Sequence, residues 1–179
     1  KALVDGLATK VGIGDASVTN NRGRKYFAYD NSTYTYTGTT AQTILKTIYI
    51  PAGSLTANST LELYVNYVAS GILNAKTGGL YITTNSSAIS GGTTIYALQV
   101  GGTILSWSKN LRLTNKNSLS SQLMFLTTTQ PYYSTNSTSA KTATTFDFSV
   151  DQYIHIYASM LNAGDTVGIS DYQCYIDKE

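Results

Sequence analysis

The chain contains a single cysteine, Cys174, so it can close no internal disulfide and build no cysteine-based metal cluster. It also contains a single histidine, His155, set mid-strand between Tyr153 and Tyr157, and a hydrolase triad would rest on that residue alone. Charge is scarce: Asp, Glu, Lys and Arg make up 12% of the residues, about half the share of roughly 25% found in ordinary globular domains. The net charge of +2 comes with one small basic cluster, Arg22, Arg24 and Lys25. That is too little for a nucleic-acid footprint, which needs a broad basic face. No run approaches the roughly 20 apolar residues of a membrane span, and no stretch carries a convincing helical period. No phosphate loop, EF-hand or HExxH motif occurs, so the sequence calls for no cofactor and no metal. Without an initiator methionine or a recognisable signal peptide, it reads as a fragment or processed product.

What is present is hydrophobic residues at 42%, aromatic residues at 11% and, among the latter, 15 tyrosines against four phenylalanines and one tryptophan. A chain of 179 residues with this content can bury one core. Serine, threonine and asparagine take the place of charge, so solubility rests on hydroxyls and amides. Residues 1–24 have no sustained alternation and no aromatic residue, and are punctuated by Gly6, Gly12, Gly14 and Gly23. They read either as a linker or stalk end, or as an irregular arm, preceding a domain over 25–179.

The strongest strand signal lies at Thr43 to Ser70. Ile44 to Ile50 is β-branched and tyrosine-bearing, Pro51-Ala52-Gly53 stops it, and Leu61, Leu63, Val65, Tyr67 and Ala69 then alternate with Glu62, Tyr64, Asn66, Val68 and Ser70. An apolar residue at every second position puts one face of a strand into a core. The rest reads as further strands around this pair. Tyr26 to Tyr29 and Tyr34 to Tyr36 flank a turn at Asp30-Asn31-Ser32, and Gly71 to Gly79 reads as a loop before a short strand at Leu80 to Thr84. Thr93 to Val100, Ile104 to Asn115 and its return partner Leu119 to Thr129 follow. Gln130 to Thr144 reads as a long polar loop, Phe146 and Phe148 as a short strand, and Tyr153 to Met160 as a strand with apolar residues on one face. In Thr166 to Asp177 the apolar positions change phase between Ile169 and Tyr172, which predicts a bulge near Ser170-Asp171. Short strands separated by Gly, Asn, Ser and Pro turns give an all-β fold, a sandwich or barrel. About eight antiparallel strands with some long connections fit a β-sandwich of jelly-roll type better than a meander.

Two corners carry a family resemblance. Ile50-Pro51-Ala52-Gly53-Ser54-Leu55-Thr56-Ala57-Asn58 follows a strand, and Leu161-Asn162-Ala163-Gly164-Asp165-Thr166 leads into the last one. With these the stretch from Tyr26 to Asp177 resembles the C-terminal domains of bacteriophage fibres and other virion appendage proteins. The second corner departs from the pattern, having no residue between the leucine and the asparagine. The resemblance implies a jelly-roll-like sandwich, a homotrimer joined to other virion proteins through its N-terminal side, and a location on the virion surface. By local physics, Pro51 ends its strand, Leu55 folds back over the core, Asn58 and Ser59 bond the turn backbone, and Asn162 to Asp165 supply residues for positive φ.

Catalytic constellations are absent from the pattern. The carboxylates Asp147, Asp151, Asp165, Asp171 and Glu62 are the only candidates for a glycosidase pair, and each fits a turn or solvated face equally well. The chain is therefore expected not to be an enzyme. Two roles stay open: recognition of a host cell-surface glycan or protein, or a purely structural decoration or trimerisation module. Tyrosine offers an apolar ring and a hydroxyl together at low entropic cost. The candidate receptor contacts are Tyr132 and Tyr133 in the long loop, Tyr34 and Tyr36 by the first turn, and Trp107, for which a place in the core is the competing reading.

Overall fold

The structure, a computed structural model, describes residues 24–71, 74–130, 133–137 and 142–178. Among these there are twelve strands and no helix. They are β1 Arg24–Asp30, β2 Tyr34–Tyr36, β3 Thr43–Ile50, β4 Thr60–Ser70, β5 Lys76–Thr83 and β6 Thr93–Val100. After them come β7 Ser106–Asn115, β8 Gln122–Gln130, β9 Tyr133–Ser137, β10 Thr142–Thr144, β11 Gln152–Met160 and β12 Thr166–Asp177. All pairings are antiparallel. An eight-stranded sheet runs β1-β12-β4-β7-β8-β10, with β2 also on β12 and β9 on β8; a four-stranded sheet runs β3-β11-β5-β6. The chain passes back and forth between the two, and β1-β12-β4-β7 facing β3-β11-β5-β6 is the eight-strand jelly roll expected from the sequence. The strands beyond those eight are β2 and the β8 to β10 insertion, which widens the larger sheet.

Several elements differ from the sequence-based expectation. The runs at Thr43–Ile50 and Thr60–Ser70 are not neighbours: β3 and β4 belong to opposite sheets, and the Pro51 corner carries the chain across the sandwich. There Gly53 adopts φ of +74°, Leu55 is buried, and Ser59 accepts from Thr56 N at 2.8 Å. The later corner uses no positive φ. Asn162 Oδ1 accepts from Gly164 N at 2.9 Å and the Asn162 carbonyl accepts from Asp165 N at 3.1 Å, so a side-chain turn replaces the left-handed residue. Gln130 to Thr144 is not one loop, because β9 and β10 within it both pair with β8. Phe146 and Phe148 stand outside any strand, where Phe148 plugs the core. Residues 1–23 of the expected linker lie outside the described residues. The return partner and the bulge stand where the sequence places them: β7 pairs with β8, and the β12–β4 register shifts between Ile169 and Asp171.

The stretch read as a loop at Gly78-Gly79 lies inside β5, and the reason is packing. Tyr67 of β4 and Trp107 of β7 stack with ring centroids 5.1 Å apart and only 5° between planes. A Cβ on Gly78 would come within 2.7 Å of Tyr67 and 2.8 Å of Trp107. On the opposite face, a Cβ on Gly79 would meet the Tyr157 ring at 2.3 Å. Tyr67 also donates to the Gly79 carbonyl at 2.9 Å. The glycines are bare because three rings occupy the space of their side chains.

Two lysines are buried. Lys76 donates to the carbonyls of Gly71 (2.7 Å) and Asn74 (2.9 Å), and its ammonium lies 3.1 Å from Asp165 Oδ2 without hydrogen-bond alignment. This ion pair ties the start of β5 to the corner before β12. Lys109, on the inner face of β7, lies 3.6 Å from the centre of the Tyr96 ring across the sandwich, and burial pushes its pKa down to about 8.

Two outcomes follow for stability. Gly78→Ala forces the Tyr67–Trp107 stack to move and is expected to cost about 2 kcal/mol, read as a lower urea midpoint; an unchanged midpoint would contradict the packing. For Lys109, a lysine in the unfolded chain titrates near 10.5. The folded chain therefore binds fewer protons between about pH 8 and about pH 10, and stability rises with pH across that window. Above about pH 10 the buried tyrosines Tyr67, Tyr157 and Tyr172, whose pKa values burial raises, act in the opposite sense. Urea midpoints across the lower window should climb for the native chain and stay level for Lys109→Met; parallel curves would rule the assignment out.

Candidate functional site

The outer faces of the two sheets differ. Over the smaller sheet, the β5–β6 connection folds back: Gly92 N donates to the Tyr81 hydroxyl at 2.9 Å, and His155 Nε2 lies 2.9 Å from the Asn85 carbonyl. That carbonyl can only accept, so the proton is assigned to Nε2, and Nδ1 accepts from the Thr47 hydroxyl at 2.9 Å. His155 is fully buried with both nitrogens engaged, which suits a structural role. Beyond this cover, Tyr49 stacks on Tyr153 at 5.2 Å and is tied through its hydroxyl to Asp151 at 3.1 Å.

Among the described residues nothing folds over the outer face of the larger sheet, and its residues are set by register. Tyr64 of β4 lies opposite Gln173 of β12 and Asn110 of β7. Gln173 lies opposite Tyr29 of β1, and Asn110 opposite Thr127 of β8. One row thus crosses five strands: Tyr29, Gln173, Tyr64, Asn110, Thr127. On one side of it Tyr175, Glu62, Arg112 and Phe125 form a second row, and on the other Asp171, Asn66 and Ser108 form a third. Tyr29 and Tyr64 are 39% and 37% exposed, so their rings are available to a ligand.

Hydrogen bonds hold these side chains in place. Ser108 donates to Asn66 Oδ1, Asn66 Nδ2 donates to Asp171 Oδ1 at 2.8 Å, and Ser170 donates to Asp171 Oδ2 at 2.8 Å. The β12 bulge makes this possible, since one extra residue between inward Ile169 and inward Tyr172 leaves Ser170 and Asp171 both off the core side. The Tyr64 hydroxyl donates to Glu62 at 3.1 Å, the Tyr175 hydroxyl donates to Gln173 at 2.7 Å, and the Tyr64 and Tyr175 rings meet edge to face at 6.1 Å. Arg112 Nε lies 3.6 Å from Glu62. Asn110 Oδ1 is buried and has no hydrogen-bond partner among the described residues. A depression of about 400 Å³ is lined by Tyr64, Asn66, Ser108, Lys109, Asn110, Thr127, Asp171 and Gln173, with the Lys109 ammonium turned inward onto the Tyr96 ring. A second, of about 240 Å³, continues it past Asn110 and Thr127 to Arg112 and Phe125.

The residues singled out from the sequence are not brought together here. Trp107 is core, 2% exposed and stacked on Tyr67, so its ring cannot meet a ligand. Tyr34 and Tyr36 lie opposite Ile169 and Val167 of β12, away from the row; Tyr36 is half-buried and Tyr34 is 42% exposed. Tyr36 donates to the Ala158 carbonyl at 2.9 Å, and Lys46 sits 5.5 Å from the Tyr34 ring while pairing with Asp30 at 2.8 Å. Tyr132 lies outside the described residues; Tyr133 opens β9, and its side chain is not described. The carboxylates weighed as a catalytic pair are each engaged by their own neighbours. Asp147 caps a turn through Ser149, Asp151 accepts from Ala52 N, Asp165 faces Lys76, and Glu62 and Asp171 are engaged as above. Among the described residues no cluster of metal-ligating side chains occurs. The row itself escaped sequence reasoning. Its available signal was aromatic and amide residues on the polar phase of the alternation, at Tyr64, Asn66, Gln173 and Tyr175.

No family model matches the chain, and no curated protein matches it in sequence. Three solved structures are distantly similar in fold. One is a bifunctional GH43-CE protein of Bacteroides eggerthii, at 7% identity and a TM-score of 0.39, over 64% of this chain. This chain spans only 18% of that protein's length. Another is the CBM2 module of the evolved Dit of Lactobacillus casei BL23 phage J-1, at 10% identity and 0.40, over 74% of this chain and 69% of that one. The third is the Emp46p carbohydrate recognition domain in its potassium-bound form, at 8% and 0.47, over 89% and 93%. At this distance neither ligand nor activity is carried over from any of them.

Proposed function

We propose that the chain is a non-catalytic glycan-binding domain whose site is the outer face of the eight-stranded sheet. The observation that supports this best is the row of Tyr29, Gln173, Tyr64, Asn110 and Thr127, aromatic rings alternating with amides and ending in a hydroxyl. Sugar rings have apolar faces that pack on aromatic side chains, and their hydroxyls pair with amides and hydroxyls. The engaged hydrogen bonds around the row pre-organise it, so little side-chain entropy is lost on binding.

The resemblance at the Ile50 to Asn58 and Leu161 to Thr166 corners supports a setting for this activity. In it the chain is part of a bacteriophage tail or head fibre, forms a homotrimer on the virion surface, joins other virion proteins through its N-terminal side, and adsorbs to host-cell glycan. Tyr132 and Tyr133 remain candidate contacts in that setting.

A glycan array probed with the full chain tests the proposal. The chain is expected to capture a subset of glycans without cleaving them, and Tyr64→Ala or Asn110→Ala to weaken capture about tenfold. Tyr34→Ala, outside the row, should leave it unchanged. Sedimentation at micromolar concentration is expected to give a trimer. A folded trimer that captures no glycan would instead identify a purely structural module, and a clean monomer would count against the appendage setting.

A further inference from the structure

This step rests on the reading of the outer sheet face as a glycan site. We infer that the ligand is a neutral, linear polysaccharide that lies across the strands and is contacted at internal sugars rather than at a chain end.

The direction comes from register. Tyr29, Gln173, Tyr64, Asn110 and Thr127 belong to five adjacent strands, so their row runs perpendicular to the strand axes. At about 4.8 Å per strand it extends about 19 Å, the reach of several sugar rings. Tyr29 and Tyr64 are two strands apart, about 10 Å, so rings stacked on them are separate sugars of one chain. The depression of about 400 Å³ follows the same line from β12 through β4 and β7 to β8. Every residue that lines it, and every residue lining the adjoining depression at Phe125, belongs to a strand. Among the described residues the trough is floored by strands and has no loop wall, which suits a chain that continues past both ends, whereas a pocket for a terminal sugar needs a closing wall.

The neutrality comes from charge. The row itself carries none. Among the described side chains of this face, the carboxylates Glu62, Asp171 and Asp177 stand against one guanidinium, Arg112, which already faces Glu62. Asp171 lies inside the trough lining. Among the described side chains, an acidic sugar would bring its charge toward carboxylates, while Arg112 faces Glu62 and the Lys109 ammonium is turned inward onto Tyr96. A neutral sugar meets amides, hydroxyls and ring faces, with the Asn110 side chain in the middle of its path.

The test is calorimetric titration of the full chain with neutral linear oligosaccharides built on glucose, mannose or galactose, from the monosaccharide to the hexasaccharide. Hyaluronan and polysialic acid fragments serve as acidic counterparts. Affinity for the neutral series that binds is expected to climb at least tenfold from disaccharide to tetrasaccharide and then to level. Tyr29→Ala and Thr127→Val, at opposite ends of the row, should weaken hexasaccharide binding while leaving the disaccharide unaffected; Tyr64→Ala should weaken both. An affinity independent of chain length, or a preference for the acidic fragments, would overturn this inference and leave the glycan site standing. Capture of no glycan by a folded chain would remove both.

Discussion

Three aromatic rings converge on the backbone of Gly78 and Gly79, and the rest of the sandwich is referenced to that contact. Tyr67 and Trp107 press on Gly78 from the larger sheet, while Tyr157 covers Gly79 from the opposite side. Side chains alternate along a strand, so seating Tyr67 inward sends Asn66 and Tyr64 outward, and seating Trp107 inward sends Ser108 and Asn110 outward. A slip of one residue on β4 or β7 would reverse every one of these positions. The inward stack therefore fixes the register of the two central strands, and through it the composition of the outer row.

Around that contact, among the described residues, one broad face is left uncovered. The smaller sheet is roofed in part by the β5–β6 connection, held through His155 and Tyr81; Tyr81 and Tyr157 are buried, and the Tyr49–Tyr153 stack lies beside the cover. The insertion of β8 to β10 extends the larger sheet past β7 and supplies Thr127 and Phe125. The bulge in β12 adds Asp171 to the outward network with Asn66 and Ser108. Position and preorganisation come from backbone pairing and a few short hydrogen bonds, a rigid way to present groups to a ligand.

Much of the architecture was legible in the sequence because its signals are local. Alternation marks β4, β7 and β11, turn residues mark their ends, and the phase change between Ile169 and Tyr172 marks the bulge. The misreadings share a cause in contacts between residues far apart in the chain. Glycine pairs ordinarily break strands, and nothing near Gly78 announces that Tyr67 and Trp107 will fill its side-chain space. The row is likewise assembled from residues 29, 64, 110, 127 and 173, each an ordinary outward position in its own strand. Weighing aromatic residues by their place in loops points to Tyr34, Tyr36, Tyr132 and Tyr133, whereas the row is set by long-range pairing. Pairing of distant strands is what brings Tyr29 and Tyr64 to one surface.

The claim on which the rest turns is that the outward face of β1, β12, β4, β7 and β8 is the contact surface. Backbone amide chemical shifts of the full, isotope-labelled chain, followed while it is titrated with an oligosaccharide it captures, locate that surface directly. Shifts are expected at Tyr29, Tyr64, Asn110, Thr127 and Gln173, with Thr47, Tyr49 and Tyr153 on the smaller sheet unmoved. Shifts confined to residues 130–144, or to the smaller sheet, would contradict it.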